Sequence, residues 1–188
     1  MKKTPPRFDS SVGIGYFNRF WARTVDHGYK RTHEDGEKVL QLPDQWRFML
    51  DPEKGGEELG LWKPELGDTS WRTIRTYTQS WSNQGLRYYK GDAWYRTRFD
   101  VPEEYRGREL VLWLAGIDNK ARVWVNGSEC EKLATGASPI GRPWEFDLTD
   151  AVRFDGENII AIRVRNDRLR ELGTGGLTGP AMIYAVAE

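Results

Sequence analysis

The sequence contains few metal-binding and redox-active residues and no excess of charge of either sign. Cys130 is the single cysteine among 188 residues, so a disulfide within the chain is impossible. His27 and His33 lie six residues apart without a neighbouring cysteine, a spacing that argues against a zinc site. Lysine plus arginine equal aspartate plus glutamate at 28 each, so no net charge attracts the chain to nucleic acid or to anionic lipid. We therefore predict neither nucleic acid nor a membrane as a partner.

Long apolar runs and catalytic motifs are missing as well. No stretch of about 18 apolar residues is present, and the opening MKKTPPRFDS lacks the apolar centre of a signal peptide. No GxSxG motif occurs, and a catalytic (β/α)8 barrel of about 250 residues would not fit. We predict that this chain alone is not an enzyme, and we assign it no compartment.

Short alternating runs are what the sequence has in abundance. The residues from Ala93 to Phe99 alternate between an apolar face and a face with arginine, which indicates a half-buried strand. Leu110 to Ala115 is almost entirely apolar, as in a strand buried on both faces. Ala121 to Val125 ends at Asn126-Gly127, the strongest short hairpin signal, because both central residues of a type I′ turn need positive φ. The partner strand is then expected from Glu129 to Leu133.

The remaining strands follow the same pattern and set the fold class. Eight to ten short strands with almost no helix predict an all-β fold, an antiparallel β-sandwich. The segment from Tyr77 to Tyr95 is rich in aromatic and amide side chains but is not periodic, so we expect mostly a long ordered loop. The further predicted strands are Gln45–Leu50, Trp71–Thr76, Trp144–Leu148, Ile159–Val164 and Ala181–Val186.

The first 38 residues differ from the rest of the chain. They are polar and interrupted by glycine, apart from one aromatic cluster from Tyr16 to Trp21 whose spacing favours a short helix. We predict an N-terminal extension over residues 1–38 that docks on the domain or stays partly flexible, with a partner-binding arm as the alternative. Residues 39–188 form the predicted sandwich domain.

Aromatic residues reach 13% of the chain, more than a core of this size usually needs. A sugar ring stacks its C–H face on an aromatic ring and offers hydroxyls to carboxylates, amides and guanidinium groups. One segment interleaves such residues, and we predict it as a carbohydrate-binding loop. Alternatively, Trp94 belongs to the sheet and Trp81 covers the edge of the sandwich. The candidate residues of this loop are Trp81, Asn83, Arg87, Tyr88, Tyr89, Asp92 and Trp94.

Further polar candidates lie where predicted strands begin or end. Each has a structural alternative: an Asx turn for the Asp-Asn pair, a core position for the tryptophan and a solvated surface for the last three residues. We predict no cofactor. A structural calcium ion stays an unassigned alternative, because such sandwiches often hold one, but no fixed spacing assigns a site to the available oxygens of Asp51, Asp150 or Glu188. The additional carbohydrate-binding candidates are Asp118, Asn119, Trp144, Asn166, Asp167 and Arg168.

A series of segments, taken in order, resembles one known domain family. The segments are WRFMLDP, GDTSWRTI, SWSNQG, YYKGDAWYRTRFDVP, LAGIDNKARVWVNG, WEFDLTDAV, GENIIAIRVRN and GTGGLTGP. Together they resemble the N-terminal sugar-binding jelly-roll domain of family 2 glycoside hydrolases, the β-galactosidase and β-glucuronidase group, and a similar domain is inserted in sialate O-acetylesterases. The resemblance covers Leu42 to Glu188 and implies a galactose-binding-like jelly roll.

The resemblance also implies a division of labour. In that family the catalytic glutamates lie on a separate barrel domain, so we expect a non-catalytic carbohydrate-binding or accessory domain. Its implied partners are a carbohydrate and a glycoside hydrolase catalytic domain. The family's jelly roll sometimes lends an aspartate to the active site, and Asp167 is the nearest equivalent here. The alternatives are therefore a loop-donating fragment of a larger hydrolase and a structural or interaction module without sugar binding.

Overall fold

The computed structural model describes residues 36–77, 79–133, 143–167 and 175–186. Their regular secondary structure is almost entirely β-strand, with single 3-10 turns at Ser82–Gln84 and Glu103–Tyr105. No helix in this part of the chain is long and apolar enough to cross a membrane. The strands are β1 (Glu37–Gln41), β2 (Gln45–Asp51), β3 (Arg72–Arg75), β4 (Gly91–Phe99), β5 (Leu110–Leu114), β6 (Ile117–Asp118), β7 (Lys120–Val125), β8 (Ser128–Cys130), β9 (Trp144–Asp147), β10 (Asn158–Asn166), β11 (Gly176–Leu177) and β12 (Ala181–Ala185).

The strands assemble into antiparallel sheets. One sheet has the order β3-β2-β4-β10-β7-β8, a second has the order β1-β12-β5-β9, and β11 pairs with β6 in a small third sheet. Every pairing is antiparallel, so the predicted all-β antiparallel sandwich is confirmed. β1 begins at Glu37, two residues before the predicted start of the domain, and the aromatic cluster from Tyr16 to Trp21 lies outside the described residues.

The core lies between the two large sheets, because the alternating apolar residues of both point into it. This placement removes the apolar surface from water, which provides the main stabilisation of such a sandwich. The six-stranded sheet contributes Phe48, Tyr95, Val123 and Ile162, and the four-stranded sheet contributes Leu112, Phe146 and Ile183, all at most 1% exposed.

The predicted hairpin is present. Asn126 has φ 51° and Gly127 has φ 87°, the left-handed conformation that the type I′ turn requires of both residues. The Asn126 side chain does more than make the turn, since its amide donates to Ala151 O and Asn158 Oδ1 and its oxygen accepts from Ile159 N. The partner strand β8 is shorter than predicted and ends at Cys130.

Strand β4 differs from its prediction, because it is buried on both faces. Trp94 and Arg96 point away from the core, yet both are 0% exposed. Residues 52–71, which we call the covering loop, lie over this outer face and pack Leu61 and Trp71 against Trp94. The prediction of a half-buried strand was wrong because the cover comes from a distant loop rather than from a sheet.

Backbone carbonyls of the covering loop hold the buried guanidinium. Arg96 donates to Leu61 O at 2.8 Å, Lys63 O at 2.9 Å and Leu66 O at 3.2 Å, and pairs with Asp68 at 3.3 Å. Burial lowers the pKa of Arg96, against the opposing effect of Asp68. A fully buried cation is tolerated here because three carbonyl oxygens and one carboxylate accept hydrogen bonds from it.

Candidate functional site

Several predicted site residues meet where strands of the six-stranded sheet begin and end. Gly91 at the start of β4 pairs with Asn166 at the end of β10, and Lys120 at the start of β7 pairs with Arg165. The short β6–β11 sheet continues from this point and pairs Asp118 with Gly176. We call this part of the sandwich the rim.

The rim carries a polar trio formed by Asn119, Lys120 and Asp167. Asp167 accepts from Asn119 Nδ2 at 2.8 Å through one oxygen and from Lys120 Nζ at 2.8 Å through the other. The Asp167 side chain is 37% exposed and that of Lys120 is 64% exposed. The trio therefore presents a carboxylate, an amide and an ammonium group to solvent, which are the groups that bind sugar hydroxyls. The prediction included Asn119 and Asp167 and missed Lys120.

The other predicted carboxylate of the rim serves the structure. Asp92 is fully buried and accepts from Arg165 Nε at 2.6 Å and from Arg165 NH2 at 2.7 Å, while Arg163 Nε lies 3.7 Å away. The hydrogen bonds to Asp92 raise the pKa of Arg165. Because Asp92 is 0% exposed and both of its oxygens are bound by Arg165, it has no surface for the predicted contact with a sugar. Asp118 and Asn166 are also enclosed, at 5% and 4% exposed.

Trp81 lies in the core, where its ring faces are covered. It is 1% exposed, donates its ring N–H to Tyr95 Oη at 2.6 Å and packs its edge on Phe48 and Tyr89. Gly176, at φ 86°, approaches so closely that a Cβ there would lie 2.4 Å from Trp81 Nε1. Trp81 therefore covers the edge of the core, which was the alternative to stacking on a sugar.

Trp94 and Trp144 are also buried against neighbouring side chains and are not exposed to a ligand. Trp94 is 0% exposed, donates to Asp51 Oδ2 at 3.0 Å and lies against the Trp124 ring at 5.2 Å. Trp144 is 8% exposed and stacks with Phe146 at 6.4 Å. Neither indole can receive a sugar ring, because the space beside it is filled. Predicting them as stacking platforms was wrong, and their core alternatives describe them.

The surface of the predicted loop consists of Asn83, Arg87 and Tyr88. Tyr88 is 76% exposed, with the Arg87 guanidinium 5.8 Å from the centre of its ring. Tyr89 is half-buried and donates its hydroxyl to Asp92 O at 2.5 Å, which links this loop to the rim. Burial raises the pKa of Tyr89 to about 12, so this hydroxyl stays protonated and keeps donating at neutral pH.

Two predictions remain open. Arg168 lies outside the described residues. The described ranges hold no group of three or more His, Cys, Asp or Glu that could bind a metal ion. Asp51, one oxygen source considered for calcium, instead accepts from Gly55 N and Gly56 N at 3.0 and 2.9 Å.

Comparisons with known proteins bear on the family. A family model described as glycosyl hydrolase 2 galactose-binding domain-like matches residues 73–174. A β-glucuronidase from Paenibacillus borealis is 32% identical over 130 residues, which make up 69% of this chain and 21% of that protein. A β-glucuronidase from Formosa agariphila is 28% identical over 135 residues, 65% of this chain and 13% of that protein. The chain thus spans 21% and 13% of the lengths of these two relatives.

Solved structures show the same fold. A glycosyl hydrolase family 2 member from Bacteroides cellulosilyticus is 25% identical and superimposes with a TM-score of 0.59 over 79% of this chain and 20% of that one. Ruminococcus gnavus β-glucuronidase in complex with C6-substituted uronic isofagomine is 21% identical, with a TM-score of 0.65 over 78% of this chain and 29% of that one. The resemblance drawn from the ordered sequence segments is confirmed.

Proposed function

Since the chain belongs to the glycosyl hydrolase 2 galactose-binding domain-like family, we propose that it is a non-catalytic carbohydrate-binding domain that serves a family 2-like glycoside hydrolase. Its own surface would bind the sugar, and the hydrolysis would belong to a separate catalytic domain.

The polar trio at the rim is the observation that carries this proposal. Lys120 and Asp167 are exposed and Asn119 is partly buried, and the three side chains differ in hydrogen-bonding character and are held by one another at 2.8 Å. Holding them in one geometry lowers the entropy lost when a ligand binds. A pair of neighbouring sugar hydroxyls can donate to the Asp167 carboxylate and accept from Lys120 or Asn119.

An exposed ring on the neighbouring loop completes the proposed site. With Trp81 and Trp94 enclosed, Tyr88 is the predicted loop aromatic whose ring is open to solvent. Stacking on one tyrosine plus a few hydrogen bonds buries little surface, so affinity is expected to be weak, with a Kd of roughly 0.1 to 1 mM, about 4 to 5 kcal/mol.

The test is a titration of the chain with neutral methyl β-glycosides of galactose, glucose and mannose, followed by NMR chemical shifts. We expect one sugar to perturb the amides of residues 119, 120 and 167. Asp167→Asn should weaken that sugar about tenfold, because a charged acceptor is lost. Asp155→Asn is the matched control, since Asp155 is exposed in the turn before the opposite end of β10.

The outcomes separate binding from a purely structural role. If no sugar of the panel changed the chemical shifts, sugar binding would be refuted. The alternative of a structural module without sugar binding would then remain. A sugar whose affinity is insensitive to Asp167→Asn would place its site away from the rim.

A second candidate function is the donation of the Asp167 loop to a neighbouring active site. The observation that favours it is length, because the relatives are named as enzymes and this chain matches only 21% and 13% of their lengths. Adding the purified chain to a matching catalytic domain should then raise the activity on a chromogenic glycoside, and Asp167→Asn should abolish the gain. Turnover of such glycosides by this chain alone would contradict both proposals.

A further inference from the structure

A shallow groove of about 310 Å³ crosses the outer face of the six-stranded sheet at the end of the covering loop. It lies where β3, β2 and β4 run side by side, and it is formed by side chains that point away from the core. Gln45, Arg47, Thr73, Arg96 and Arg98 line it, and we call it the arginine groove. Its residues differ from those of the rim, and it lies on another part of the sheet.

The groove collects positive charge. Arg47 on β2 is the direct cross-strand partner of Arg96 on β4, and Arg98 lies two residues further along β4. Like charges opposite each other on a sheet destabilise it unless an anion compensates them. The described residues that line the groove include no acidic side chain.

The three arginines differ in how fully they are satisfied. Arg96 is saturated by three carbonyls and Asp68, as described above. Arg98 is 38% exposed and shares Asp68 at 3.1 Å while also pairing with Glu157 at 3.3 Å. Arg47 is exposed and donates to Trp71 O at 3.3 Å. Within the described ranges no carboxylate lies at ion-pair distance from Arg47, so its guanidinium fork remains able to bind an anion.

We propose that the arginine groove binds the carboxylate of an acidic saccharide, a uronic acid, with Arg47 as its main contact and Arg98 beside it. A planar guanidinium matches a carboxylate in two parallel hydrogen bonds. Thr73 and Gln45 are exposed beside Arg47 and offer a hydroxyl and an amide to the sugar hydroxyls. A volume of about 310 Å³ is at the small end of ligand sites, which suits one sugar residue better than an extended acidic peptide.

This inference goes beyond the proposed function, because it concerns a second site and a charged ligand. It stands if the rim binds no sugar. Its recognition is electrostatic, so the binding should weaken as salt is raised, unlike the binding of a neutral glycoside at the rim.

The experiment titrates the whole chain with D-glucuronate, with D-glucose as the uncharged counterpart, and with inorganic phosphate and a tetraglutamate peptide. NMR shifts locate the binding. We expect glucuronate to perturb the amides of residues 45–47, 73 and 96–98 and to bind at least about tenfold more tightly than glucose. Arg47→Gln should weaken the binding of glucuronate about tenfold, and Thr73→Val should weaken it about threefold.

Arg106→Gln is the matched control. Arg106 carries the same charge, is 55% exposed and pairs with Glu103 away from the groove, so its loss should change glucuronate affinity less than twofold. The amides of residues 119, 120 and 167 report binding at the rim in the same titration, which separates a failure of this inference from a failure at the rim.

Three results would overturn the inference. If glucose bound as tightly as glucuronate, the carboxylate would have no role in the binding. Phosphate or tetraglutamate binding as tightly as glucuronate would show a general anion site or a protein-docking site. Equal weakening by Arg47→Gln and Arg106→Gln, with both variants folded by their NMR spectra, would show only the effect of net charge.

Discussion

Strand β4 buries Tyr95 on its inner face and Arg96 on its outer face equally, but by different interactions. On the inner face, Tyr95 lies among apolar side chains of both sheets, and its hydroxyl accepts from Trp81 Nε1 and Leu177 N. On the outer face, Arg96 is equally inaccessible, but its neighbours are carbonyl oxygens and a carboxylate of the covering loop. The stability of the inner face depends on the area of many apolar contacts. The stability of the outer face depends on the geometry of a few hydrogen bonds.

This difference changes what one substitution can do. Apolar packing is spread over many atoms, so losing one methyl group costs little. A buried ion pair is different, because removing one partner leaves the other charged and enclosed. The outer face should therefore be the more sensitive to single changes, although it lies outside the main core.

The largest expected effect is that of Arg96→Met, which keeps the length of the side chain and removes its charge. It leaves the carboxylate of Asp68, 3% exposed, and three loop carbonyls without this donor. We expect a loss of about 3 to 5 kcal/mol in the free energy of unfolding. Urea denaturation measures it, with Arg106→Met at an exposed ion pair as control, for which about 0 to 1 kcal/mol is expected. Equal losses in both variants would show that burial of the guanidinium does not matter.

Next in size is Gly176→Ala, which tests the inner face at its tightest point. Gly176 has φ 86°, and a Cβ would lie 2.4 Å from both Trp81 Nε1 and Tyr95 Oη. The left-handed backbone and the displaced rings together should cost about 1 to 3 kcal/mol of unfolding free energy. Gly107→Ala, also left-handed but with open space around it, isolates the backbone part. If both glycines gave the same loss, the contact with Trp81 would carry no energy.

A smaller loss is expected from Ile162→Val, in the middle of the apolar inner face. Ile162 is 0% exposed and lies between Tyr95 and Val123 on the neighbouring strands. Removing one methylene should cost about 0.5 to 1.5 kcal/mol in urea denaturation. A loss as large as that of Arg96→Met would contradict the contrast between the two faces.

The same contrast explains how far sequence reasoning reached in the fold. The alternation from Ala93 to Phe99 and the turn at Asn126-Gly127 are local, so they predicted strand β4 and the hairpin correctly. The burial of Arg96 depends on carbonyls at positions 61, 63 and 66, and no local pattern marks a carbonyl as a partner. An arginine in an alternating strand is therefore assigned to solvent.

The candidate site was predicted in part, for a related reason. Asn119 and Asp167 follow from strand ends, where loops gather polar groups. Composition alone cannot distinguish a tryptophan that stacks on a ligand from one that fills a core, and Trp81 and Trp94 are of the second kind. Lys120 adjoins Asn119 in the sequence but was missed. It lies across from Arg165, and only the strand pairing reveals this register.

The smallest expected effect concerns pH and the ionic edge of the outer face. Hydrogen bonds from Arg122 hold the pKa of Glu129 below its usual value of about 4.3. A lowered folded-state pKa contributes stability that is fully present above the unfolded pKa and is lost progressively as the pH falls below that pKa toward the folded value. Because Glu129 is 45% exposed, we expect less than about 1 kcal/mol. Urea denaturation at pH 6 and pH 3 should show a smaller pH-dependent loss for Glu129→Gln than for the wild type, whereas exposed Glu104→Gln should follow the wild type. If Glu129→Gln lost as much stability as the wild type between these pH values, the ion pair between Arg122 and Glu129 would contribute nothing to the stability of the outer face.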